Sequence, residues 1–136
     1  MKGSRVTRYV IDPEVALHLA PHDVPVVSEH QLVAPTLLRS QLLSVLYKAV
    51  RRGEMTKSET ERHLDYTRRL RTRLLGNRVL QAVAWKIADQ LGWADTFGAE
   101  YIALTQLQAD ALITLDPTVA DAAKSLVALA PLDALT

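Results

Sequence analysis

The 136-residue sequence has no cysteine. That excludes disulfides, thiolate zinc sites and cysteine nucleophiles, and it fits a reducing cytoplasm. Glycine (five) and proline (six) are too sparse for long disordered tails. Five scattered glycines cannot build a phosphate-cradling loop. The patterns G-x-G-x-x-G, G-x-x-x-x-G-K-S/T, G-x-S-x-G and H-E-x-x-H are all missing. No apolar run approaches the roughly 20 residues of a membrane-spanning helix, so no membrane partner is expected. The opening MKGSRVTRYVID starts basic but has no apolar core before Asp12, so no signal peptide is expected. Among the histidines, His18 and His22 are four apart but separated by Pro21, and His30 and His63 stand alone, so histidine ligation of a metal is not expected.

What is present is an ordinary globular composition, 49% apolar and 23% charged, in a length that suits one domain over residues 1–136. The net charge of +1 hides an asymmetry. Lys48, Arg51, Arg52, Lys57, Arg62, Arg68, Arg69, Arg71, Arg73 and Arg78 face only Glu54, Glu59, Glu61 and Asp65. From Val79 onward, acids outnumber Lys86 and Lys124. A basic middle beside an acidic remainder suggests an anionic partner; a solvated helix face with ion pairs is the simpler account.

Periodicity gives the elements. Residues 93–116, WADTFGAEYIALTQLQADALITLD, are the stretch around which the rest is arranged. Asp95-Thr96 reads as an N-cap, and Phe97, Tyr101, Leu104 and Leu107 recur at helical spacing. Residues 111–115 follow as a short buried strand ended by Asp116-Pro117. Earlier, residues 5–11 read as a strand and Pro13 opens a helix through His18. Residues 31–34 are a short strand. Residues 37–52 are a helix with Leu38, Leu42, Val45, Leu46 and Val50 on one side. Thr56 and Glu59 form a capping box for a polar helix to about Leu70, and Leu74-Leu75 is a short strand or a connector. Asn77 caps a helix with Val79, Leu80, Val83, Ile87 and Leu91 on its apolar face and Gly92 as its stop. Residues 117–124 form a short helix and 126–129 a final strand. The order implies a small three-layer α/β/α domain with a short, mostly parallel sheet.

In such a sheet, ligands bind past the C-terminal ends of the strands. Asp12 and Asp116 each follow a strand there, and Asp95 is a third carboxylate able to join them. Clustered carboxylates repel unless a hard divalent cation lies between them, and Mg²⁺ takes one or two carboxylates plus water and phosphate oxygens. Such an ion suits phosphodiester cleavage. The simpler account is that all three aspartates cap helices.

Three stretches resemble the PIN-domain family, and within it the VapC-type toxins of bacterial toxin–antitoxin pairs: Tyr9-Val10-Ile11-Asp12; Pro35-Thr36-Leu37-Leu38-Arg39-Ser40-Gln41-Leu42-Leu43-Ser44-Val45-Leu46; and Ala99-Glu100-Tyr101-Ile102-Ala103-Leu104 with Leu112-Ile113-Thr114-Leu115-Asp116. The resemblance spans nearly the whole chain. It implies a cytoplasmic Mg²⁺- or Mn²⁺-dependent endoribonuclease, a homodimer, inhibited by a VapB-like antitoxin. Carried over by residue, Asp12 and Asp116 are the first and last acids, and Thr114 precedes Asp116 as in many members. Two expected acids fall on Gln41 and Gly98. The expected roles are Asp12, Asp95 and Asp116 as metal ligands, Gln41 and Thr114 as orienters of water, and Arg39, Lys48, Arg51, Arg52, Arg68 and Arg69, with Arg71 and Arg73, as attractors of RNA phosphates. The alternative is a PIN-like module that binds RNA or an antitoxin without cleaving. Trp85 and Trp93 suit either a dimer interface or the core.

Overall fold

The computed structural model describes residues 6–26 and 29–136. Four strands, β1 (Thr7–Ile11), β2 (His30–Pro35), β3 (Arg73–Leu75) and β4 (Ala111–Ile113), form one all-parallel sheet in the order β3-β2-β1-β4. Six helices surround it: α1 (Pro13–Leu19), α2 (Leu37–Arg51), α3 (Lys57–Arg69), α4 (Arg78–Leu91), α5 (Phe97–Gln108) and α6 (Pro117–Ala123). The architecture is three-layer α/β/α.

Strand alternation sorts the core into its two faces. Val10, Val33 and Leu112 stand on one face and pack with Leu80, Ala84 and Ile87 of α4 and Ile102 and Leu104 of α5. Tyr9, Ile11, Leu32 and Ile113 stand on the other, against Val15 and Leu19 of α1, Tyr66 of α3 and Leu135. The register pairs like with like: Val10 lies beside Val33 and Leu112, and Ile11 beside Ile113.

Helix α5 is the centre of the molecule. Residues 101–105 are all buried, as in a helix covered on every side. It lies between the sheet and α4. Full burial of one such aliphatic side chain contributes about 1.5–3 kcal/mol.

The ends of the helices follow from local chemistry. Asn77 accepts from the Leu80 amide at 2.9 Å, and Gly92 closes α4 at φ +70°, where a side chain would be strained. The capping box of α3 is complete: the Glu59 amide donates to Thr56 Oγ1 at 3.1 Å and the Thr56 amide to Glu59 Oε1 at 2.9 Å.

Of the two readings for Leu74-Leu75, the strand holds, as part of β3. Several other expectations need correction. β4 stops at Ile113 rather than residue 115. The last expected strand is one bridge, Leu129 beside Leu112. Arg5, at the start of the first expected strand, lies outside the described residues. Thr96 occupies the N-cap position of α5 without a side-chain hydrogen bond. Val45 and Val79 are exposed, because only a narrow stripe of α2 and of α4 is covered. Trp85 is 71% exposed and so is no core residue, whereas Trp93 packs against the core.

Ile102→Ala should lower unfolding free energy by about 2–5 kcal/mol in urea titration. A loss under about 1 kcal/mol would mean that α5 is not the centre of the core.

Candidate metal centre at the carboxylate edge

Register places the first pair of functional side chains. Ile11 and Ile113 are neighbours on parallel strands, so Asp12 and Thr114 are the next residues at the two strand tips. Both continue the face of Val10 and Leu112. The Thr114 hydroxyl donates to Asp12 Oδ2. The same hydroxyl accepts from the Asp116 amide at 3.1 Å. One threonine thus ties together two acidic residues that are far apart in the chain.

Each aspartate also caps the helix that follows it, as the simpler account held. Asp12 Oδ1 accepts from the Val15 amide at 3.0 Å. Asp116 Oδ1 accepts from the amides of Thr118 at 2.9 Å and Val119 at 3.4 Å. Capping and convergence coexist, because a cap uses only some of the lone pairs on a carboxylate.

The electrostatics show unbalanced negative charge. Asp12 is 7% exposed. Burial pushes its carboxyl up from the ordinary aspartate value, and the Asp116 charge adds to the rise. The bonds from Thr114 and from the backbone oppose it. Glu14, in the first turn of α1, is raised by desolvation and then by Asp12 and Asp116. Among the described residues, no lysine or arginine contributes to the shift of Asp12. These carboxyls can be relieved by protons or by a cation from solvent.

Gln41, from α2, reaches the same edge through Tyr101 of α5. The Tyr101 hydroxyl donates to Gln41 Oε1 at 2.5 Å. Burial, then the charges of Asp12 and Glu100, push the phenol above the usual tyrosine range. Gly98 lies under Trp93: a Cβ there would meet Trp93 Cζ3 at 3.1 Å and Val119 Cγ2 at 3.5 Å. The indole fills the space where a side chain at 98 would begin.

Asp95 is not drawn in. It is exposed, its Oδ1 accepts from the Phe97 amide at 3.1 Å, and it is absent from the charges shifting Asp12, Glu14 or Tyr101. Its place before α5 makes it a turn residue. Among the described residues, no three His, Asp or Glu side chains gather into a metal-holding group. The donor set that does form is Asp12 with Asp116, near Glu14. It fits a largely hydrated Mg²⁺ or Mn²⁺, which needs only one or two carboxylates.

The basic residues scatter. Arg39 is in the first turns of α2, at the carboxylate edge. Lys48, Arg51 and Arg52 are toward its other end, about 14–20 Å away at helical rise. Arg52 bonds Glu54 at 2.9 Å, Arg68 bonds Asp65 at 2.5 Å and Arg69 bonds Asp23 at 2.9 Å, all on the surface. Arg69 and Arg71 line a cavity of about 1110 Å³ with Arg8, His30 and Asp110, at the edge where the strands begin. That cavity is opposite the carboxylates. Arg73 opens β3 beside Val33.

Sequence reasoning missed Glu14, Trp93, Glu100 and Tyr101 as parts of this edge. The signal for Glu14 was available: an acid two residues past a strand-ending Asp-Pro falls in the first helical turn. The others depend on packing between distant segments.

No protein-family model and no curated protein matches the chain. Among solved structures it is similar to the "Crystal structure of PAE2754 from Pyrobaculum aerophilum", with a TM-score of 0.71 and 17% sequence identity, over 96% of this chain and 94% of that one. At that identity the likeness is one of fold.

The raised Asp12 carboxyl has a consequence for stability. Folding favours its protonated form, so the contribution is full below the unfolded value and is lost as pH rises through the higher native value. Asp12→Asn keeps an acceptor for the Val15 amide and should melt above the wild type at neutral pH, with the gap closing in acid. Equal melting temperatures at neutral pH would show that Asp12 is not a strained buried charge.

Proposed function

We propose that the chain is a divalent-metal-dependent endoribonuclease of the PIN-domain, VapC-toxin type. The observation that carries this is the meeting of Asp12 and Asp116 at the C-terminal sheet edge, joined by Thr114, where no lysine or arginine among the described residues acts on the Asp12 carboxyl. The resemblance in the motif-bearing stretches supports the reading. A Mg²⁺ or Mn²⁺ ion held there would promote attack by water on a phosphodiester and offset the charge that develops.

The chain's own residues have the following parts. Asp12 and Asp116 would hold the ion, each anchored by backbone amides that restrict its movement. Thr114 keeps the Asp12 carboxylate in place and can orient water. Glu14 adds negative charge at the rim. Arg39, in the first turns of α2, would attract an RNA phosphate to this edge, a salt-sensitive contribution. A VapB-like antitoxin, a homodimer and a cytoplasmic location belong to the same proposal and rest on the resemblance.

RNA cleavage with Mg²⁺ or Mn²⁺ should fall on the order of 100-fold or more in Asp12→Asn and in Asp116→Asn. Cleavage that persists unchanged in both would remove the site from consideration.

A second reading has its own observation. Gln41 carries no charge, Trp93 packs tightly beside Gly98 and Asp95 serves a turn, so among the described residues no third carboxylate closes into a metal-holding group at the edge. That favours a module that binds RNA or an antitoxin without cutting. Calorimetric titration with Mn²⁺ separates the two. Heat that disappears in Asp12→Asn supports the nuclease. No heat, together with RNA or antitoxin binding, supports the module.

A further inference from the structure

Gln41 stands at the carboxylate edge as a neutral amide with two unlike ends. The oxygen accepts and the nitrogen donates. Which end faces the edge decides what the residue can recognise, and the protein settles this through Tyr101.

Tyr101 is 3% exposed, in the fully covered stretch of α5. Its hydroxyl has one protein partner among the described residues, Gln41 Oε1 at 2.5 Å. The phenol stays protonated beyond the usual tyrosine range, because burial and then the charges of Asp12 and Glu100 oppose its ionisation. It is therefore a standing donor, and its proton requires an acceptor. The amide oxygen supplies it, which turns the amide nitrogen away from the phenol. That nitrogen has no protein hydrogen bond among the described residues, and it is not among the buried polar atoms left without a partner. It is therefore not fully buried, and no protein acceptor among the described residues takes its protons.

We infer that Tyr101 is a positioning residue that grips the Gln41 amide by its oxygen and presents the amide nitrogen as a hydrogen-bond donor to a phosphate oxygen of a bound RNA strand. This rests on the ribonuclease reading and gives that site its anion-recognising element. An edge built from Asp12, Asp116 and Glu14 repels phosphate, so an uncharged donor at its rim is of use there. A carboxylate at position 41 could accept the Tyr101 proton equally well, but it would offer no donor and add repulsion. The neutral side chain thus suits a substrate contact at this position.

The test uses the full chain and a short 2′-O-methyl RNA. Binding is measured by fluorescence anisotropy with and without Mg²⁺. Gln41→Leu, Gln41→Glu and Tyr101→Phe should each weaken binding about tenfold, the scale of a hydrogen bond to a charged acceptor. The double variant Tyr101→Phe/Gln41→Leu should bind no worse than Gln41→Leu alone, since both remove one contact. With ¹⁵N-glutamine labelling, the Gln41 side-chain resonance should move on RNA addition in the wild type. Losses that add in the double variant, wild-type binding by Tyr101→Phe, or a Gln41 resonance that stays still would overturn the inference. If Tyr101→Phe fails to fold, Gln41→Leu, Gln41→Glu and the resonance decide. Normal cleavage with no binding change in the variants sinks this inference and leaves the ribonuclease reading standing. The expected binding pattern without cleavage sinks the ribonuclease reading and leaves the amide contact as part of a module that binds RNA without cutting. A wild-type chain that binds no RNA sinks both.

Discussion

The hydrogen bond from Thr114 to Asp12 depends on a single register, that of β1 against β4. Ile11 beside Ile113 fixes the heights of the strand tips, and two-residue alternation fixes their direction. A slip of one residue would turn both isoleucines out of their shared core layer. The packing that stabilises the sheet is therefore the same packing that aligns the carboxylate edge. Burial then supplies the low-dielectric surroundings that keep the Asp12 carboxyl raised.

The helices divide the work around that edge. α1 and α6 begin on it and are capped by its aspartates. α2 begins beside it and brings Gln41 and Arg39. α5 crosses behind and contributes the buried phenol. α3 ends on the other side of the sheet, where the large cavity and most of the arginines found around it are located. The basic middle of the sequence is thus no continuous stripe. Much of it is an exposed helical surface whose ion pairs contribute little to stability.

The fold was legible because its signals are local. Caps such as Asn77 and Thr56, the stop at Gly92, and the apolar burst before Asp116-Pro117 each speak within a few residues. The pairing of Asp12 with the region of Asp116 could be inferred across 102 residues, because parallel strands bring their tips to one edge. Periodicity was less informative about how wide a helical face is covered, and Val45 and Val79 show this. The destination of Arg68 and Arg69 needed the direction of α3 relative to the sheet, which spacing alone does not contain. The Tyr101–Gln41 contact joins residues 60 apart on two helices and leaves no trace in either helix alone.

The indole of Trp93 over Gly98 also constrains how this chain can change. An acidic side chain introduced at 98 alone would press on a ring that packs against the core. Trimming the ring alone would leave a void that weakens the fold. Passage toward a more negative pocket therefore runs through residue 93, whose ring must give by a few tenths of an ångström to admit a side chain at 98.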